Sequence, residues 1–223
     1  MNFLSHYYFD KDSVNAHFVL GLVLPDLTKN FNKTWNIHPH KFIGQLSTNA
    51  QLMGIYEGWQ KHLQVDKLFH SSGFFKQETD RLKQLITPLL IGTPVRPFIL
   101  AHIALELMLD SLLIENKKVD TNNFYLHLSA VDQNKLLEYL RITGINQPEN
   151  FLNFYNKFVE HAYLHSYTDY NKLVYALNRI CYRVWGTNFS EETKTELEQV
   201  LLQYKTELIS NFMDIFDEIT PKL

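Results

Sequence analysis

The chain has 223 residues, 45% apolar and 20% charged, with a formal net charge of −3 from 21 Lys and Arg against 24 Asp and Glu. These proportions exclude wholesale disorder, and a chain of this length buries roughly 70% of its unfolded surface without needing staples to fold. The lone cysteine, Cys181, excludes a disulfide framework and any thiolate metal cluster, and fits a reducing compartment.

No block of five or six basic residues occurs, so a nucleic-acid partner is not expected. The start, Met1-Asn2-Phe3-Leu4-Ser5-His6, lacks the basic and apolar regions of a signal peptide. The longest apolar run, from Pro97 to Ile114, is of membrane length but contains His102, Glu106 and Asp110. A charge such as Asp110 at a bilayer centre costs roughly 2.5–3.5 kcal/mol on insertion scales. The expectation is therefore a cytoplasmic single domain over residues 1–223, with no membrane partner.

Eight glycines and seven prolines are few, which favours long regular elements. Asp12 or Ser13 is a candidate cap for a helix to Leu24, where Pro25 ends or kinks it. Residues 31–47, with Pro39 and Gly44, read as an ordered loop. Asn49 to His70 reads as a helix despite Gly54 and Gly58, and Ser71-Ser72-Gly73 stops it. Phe75 to Ile91 is another, with Pro88 at its end, and after Gly92-Thr93-Pro94 an apolar helix runs from about Arg96 to Glu115.

Short helices follow over Asn122–Ala130 and Asp132–Thr143, the second closed by Gly144. Pro148 suits the first turn of a helix to about Tyr167, and Asp169 opens one ending near Gly186. Ser190 caps the last, with Glu191 and Glu192 favourable to its dipole. From there Leu197, Leu201, Tyr204, Leu208, Phe212 and Phe216 form one apolar stripe. With no convincing strand, the fold class is an all-α bundle of about eight helices.

His102, Glu106 and Asp110 recur every four residues, so they lie one above another on a helix that is otherwise apolar. A buried carboxylate must pair, stay protonated or bind a metal. His62, Asp66 and His70 repeat the pattern on the second long helix. Two such rows facing each other would bring imidazole nitrogens and carboxylate oxygens together without sulfur, a donor set suited to manganese, iron, zinc or, with more carboxylates, magnesium. The plainer alternative makes these rows solvent-facing stripes. His6 and Asp26 are further candidates, with Asp26 also a plausible turn residue. His161 with His165, and His38 with His40, read as surface residues, and Cys181 as core packing.

At these residues the chain resembles the acyl carrier protein phosphodiesterases, within the HD-type metal-dependent phosphohydrolases. Met1 to His6 is similar to the family's Met-Asn-Phe-Leu-Ala-His start, and Gly21 to Leu27 to its Gly-Asn-Leu-Leu-Ala-Asp-Phe segment. Gly54-Ile55 and His62 to Asp66 resemble its Gly-Ile…His-Arg-Arg-Ile-Asp element. The resemblance implies an HD-like fold and a metal site that includes His6, Asp26, His62 and Asp66. His70, and His102 with Glu106, stand where the family carries aspartates. Leu63-Gln64 replaces its paired arginines, which weakens a grip on an acidic carrier protein or its phosphodiester.

The leading expectation is a metal-dependent phosphohydrolase of phosphodiesters, with release of phosphopantetheine from acyl carrier protein as the reaction implied by the resemblance. His6, Asp26, His62, Asp66, His102 and Glu106 would hold one or two divalent ions. Asp66 would double as a catalytic group, and Asp110 or His70 would orient ligands or relay a proton. Two other readings compete: a non-catalytic helical protein that kept the fold and binds a partner, and a purely structural bundle. Whether the chain works alone or as a homodimer is left open by one sequence.

Overall fold

Helices form in nearly every place the periodicity puts them and no strand is present in the computed structural model, which describes residues 1–223. In chain order they are α1 (Phe3–Tyr8), α2 (Ala16–Phe31), α3 (Ile43–Leu46), α4 (Ala50–Ser71), α5 (Gly73–Ile86) and α6 (Pro97–Glu115). Then come α7 (Thr121–Ser129), α8 (Gln133–Ile142), α9 (Glu149–His161), α10 (Tyr170–Trp185), α11 (Glu191–Leu208) and α12 (Asp214–Ile219).

The elements outnumber the eight or so expected because α1 and α3 form where no helix was expected, α3 inside the segment read as a loop, and because turns end other helices early. α9 stops at His161, where Ala162 takes a left-handed conformation (φ 44°), and the stretch to Thr168 winds as a 3₁₀ turn. α11 ends at Leu208, yet Phe212 and Phe216 beyond it remain buried, so the apolar stripe outlasts the helix.

α2 corrects two expectations. Its cap is Asn15, whose side chain accepts from the amides of His17 and Phe18, in place of Asp12 or Ser13. It also continues past Leu24 through Pro25 to Phe31, so the proline does not end it. Proline removes one backbone donor, but here Leu22, Val23, Leu24 and Leu27 are fully buried, and that packing outweighs local propensity. Asn49 caps α4 through the amides of Gln51 and Leu52.

The chain divides into two compact units. The first comprises Met1–Asp66, Val119–Tyr163 and Leu223. In it α2 packs against α1, α7 and α9, and rings fill the spaces between, as in the pairs Phe3–Phe158, Tyr7–Phe124 and Phe31–Phe151. The second comprises Lys67–Lys118 and Leu164–Lys222. In it α5 packs along α6 and also meets α11 and α12, while α10 joins α6 to α11. α4 supplies its residues up to Asp66 to the first unit and its last turn to the second. α6 has the length and apolarity of a bilayer span, but 61% of that window is buried inside the protein.

Candidate metal centre

Two glycines set the geometry of the first unit. A Cβ on Gly58 would stand 2.1 Å from the carbonyl oxygen of Phe18 and 2.8 Å from the Cα of Gly21. One on Gly21 would stand 2.3 Å from the carbonyl oxygen of Ile55. α2 and α4 therefore cross backbone against backbone, which only glycine permits at both positions. One turn further along α4, this approach brings the Nδ1 of His62 within 2.8 Å of the carbonyl oxygen of Leu22. A carbonyl only accepts, so Nδ1 carries a proton, which makes Nε2 the ring nitrogen that can offer a lone pair to a metal. Such an outer hydrogen bond is what orients a metal-binding histidine.

Nε2 of His62 faces two carboxylates. It lies 3.9 Å from Oδ1 of Asp26 and 4.0 Å from Oδ2 of Asp66. His6, carried by α1, stacks on the His62 ring with centroids 3.8 Å apart, and its Nε2 is 3.4 Å from Oδ1 of Asp66. His6 is fully buried and neither of its ring nitrogens makes a hydrogen bond. An imidazole sealed from water with both nitrogens unsatisfied costs free energy unless something binds it. One donor atom from each of His6, His62 and Asp66 lies within 4.8 Å of the others.

These groups divide the charge unequally. Burial, with the His62 ring beside it, pushes the pKa of His6 down to about 4, so the imidazole is neutral at pH 7 and available as a ligand. Burial works in the opposite sense on Asp66, but His6 and the Met1 ammonium outweigh it and hold the carboxyl far below its ordinary range. The Met1 nitrogen lies 2.7 Å from Asp66 Oδ1, so a cation already sits at that carboxylate. Two ligands bound at about 2.1 Å to one ion stand up to about 4.2 Å apart, and the 3.4 and 4.0 Å separations of His6 and His62 from Asp66 lie within that reach, whereas Asp26, 3.9 Å from His62, is not part of the three-residue group.

A second group occupies the second unit. The Nε2 atoms of His70 and His102 are 3.1 Å apart, and Oε1 of Glu106 is 2.9 Å from His102 and 3.7 Å from His70. The row expected along α4 is thus divided, with His62 and Asp66 in one group and His70 in the other. A step of four residues overshoots a full turn by about 40°, so two steps carry a side chain about 80° around the axis. Asp110, two steps beyond His102, is fully buried in α6 and belongs to neither group.

Four further histidines fall as read from the sequence: His38, His40, His161 and His165 are exposed. Cys181 is buried, and burial pushes its thiol up to about 12, the wrong direction for a nucleophile. No motif points to the Leu22 carbonyl or to Phe75, whose ring stands edge-on to both His70 and His102. The paired Gly21 and Gly58 were the available signal for the close helix crossing. Comparison with protein-family models, with curated proteins and with solved structures finds no match to this chain.

Proposed function

We propose that the protein is a metal-dependent phosphohydrolase acting on phosphodiesters, with His6, Asp26, His62 and Asp66 as ligands of its divalent ion. What supports the reading most is His6, a fully buried imidazole with both nitrogens unsatisfied, set beside an ionised carboxylate and a second, oriented imidazole. The bound ion would lower the pKa of a water and neutralise charge on phosphoryl oxygens. The Leu22 carbonyl accepts from Nδ1 of His62, so that Nε2 is the nitrogen placed to coordinate, and Asp66, ionised throughout the physiological range, supplies negative charge to the ion. The sequence resemblance extends the proposal to an HD-like fold and to phosphopantetheine on an acyl carrier protein as substrate.

The test combines elemental analysis of tag-free protein with hydrolysis of bis-p-nitrophenyl phosphate. Manganese, iron or zinc should copurify, and His62→Ala or Asp66→Ala should abolish hydrolysis. Full activity in metal-free Asp66→Ala protein refutes the mechanism. One observation favours a second reading, a binding protein that keeps the ion without turnover. On α4, Leu63 is 48% exposed and Gln64 is exposed, where the resembled family presents a pair of arginines for its substrate. Metal retention without hydrolysis of any phosphoester would favour it.

A further inference from the structure

We infer that His70, His102 and Glu106 form a zinc-type site in the second unit, with His70 as a ligand in its own right and a fourth position open to solvent. The inference stands on these residues alone and does not rest on phosphoester hydrolysis. The separations of 2.9, 3.1 and 3.7 Å define a triangle whose corners are all about 1.9 Å from one central point. A zinc ion at its usual 2.0–2.2 Å from nitrogen and oxygen would therefore sit just above that plane, with the three donor atoms at their present separations.

Proton accounting leads to the same place. Nε2 of His102 faces both Oε1 of Glu106 and Nε2 of His70, and one N–H there can donate well to only one of them. A divalent ion accepts a lone pair from all three. The rings are also held in place: Phe75, itself buried, stands edge-on to His70 at 5.0 Å and to His102 at 4.8 Å, and Phe69 packs against Phe75. Exposure rises from Glu106 through His102 to His70, at 17%, 27% and 36%, so the open side faces water. Two imidazoles and one carboxylate are the ligand set of an open zinc site, whereas magnesium and calcium take oxygen donors.

The experiment uses full-length His62→Ala/Asp66→Ala protein, stripped with chelator, so that uptake reports on the second group. Cobalt(II) serves as the probe. One equivalent should bind with the visible absorption of a tetrahedral nitrogen–oxygen site, be displaced by one equivalent of zinc, and resist excess magnesium. Adding His70→Ala or His102→Ala should weaken uptake by about 100-fold or more, since losing even an outer partner of a metal ligand costs 10–100-fold. His161→Ala, at an exposed histidine, should change nothing. His102→Gln serves if the alanine variant loses its far-UV dichroism. Folded double-variant protein that takes up no cobalt, or uptake indifferent to His70 and His102, overturns the inference. Failed hydrolysis by the metal-loaded parent protein, with cobalt uptake by the double variant intact, refutes the phosphohydrolase reading and leaves the inference standing.

Discussion

Replacing Gly58 by alanine tests whether the crossing of α2 and α4 sets up the metal centre. In an isolated helix the change should stabilise, by about 0.8–1 kcal/mol. Here the new methyl would stand 2.1 Å from the Phe18 carbonyl oxygen, 2.8 Å from the Gly21 Cα and 2.9 Å from the Leu22 amide nitrogen. All three are backbone atoms, so no side chain can turn aside and the helices must part by about 1 Å. Overpacking of this kind costs typically 1–3 kcal/mol, occasionally more. The same movement stretches the 2.8 Å bond from His62 to Leu22 past hydrogen-bond reach, a further loss of about 1 kcal/mol. The net expectation is destabilisation by about 1–3 kcal/mol. Urea titration of metal-free Gly58→Ala should show it as a lower midpoint with metal affinity reduced, beside Gly73→Ala, where an added Cβ meets nothing within 4 Å. A Gly58→Ala protein as stable as the parent, or more stable, refutes the reasoning.

The buried histidine should register in the pH dependence of the metal-free protein. The pKa of His6 is about 4 folded against 6.5 for an ordinary histidine, so between these values the unfolded chain binds a proton that the folded chain lacks. Its stabilisation is complete above about pH 6.5, falls as the pH drops and levels off below about 4, a loss of about 3 kcal/mol. His17, also held low by burial, adds in the same sense, and Asp66 begins to contribute only below its ordinary carboxylate range. Urea midpoints should fall across this window and flatten in His6→Leu; a parent protein with constant midpoints refutes the assignment. In the second unit, Tyr204 donates to the buried carboxylate of Glu78, which Arg81 and Asn211 also approach. Tyr204→Phe should cost about 2 kcal/mol, as expected for a hydrogen bond to a charged group, and a change below about 0.5 kcal/mol in chemical denaturation counts against the network.

Local chemistry made much of this molecule legible from the sequence alone. Ser190 and Asp169 do cap α11 and α10, Gly186 does end α10 in a left-handed turn, and α6 spans Pro97–Glu115 as read from its apolar run. Each depends on residues within a turn of one another. The pairs His62–Asp66 and His102–Glu106 were visible for the same reason, because four residues return a helix almost to the same face. What the eight-residue spacing could not decide is which group His70 joins, since the drift of about 80° lets different neighbours claim the two ends of a row. Passage of α2 through Pro25 was likewise decided by the burial of the apolar residues around it, against the local preference of proline. The tautomer of His62 and the stacking of His6 upon it arise from contacts across 40 and 56 positions of the chain. The backbone approach at Gly21 and Gly58 brings His62 to the Leu22 carbonyl, and a composition of small residues does not disclose that approach until the two helices are packed.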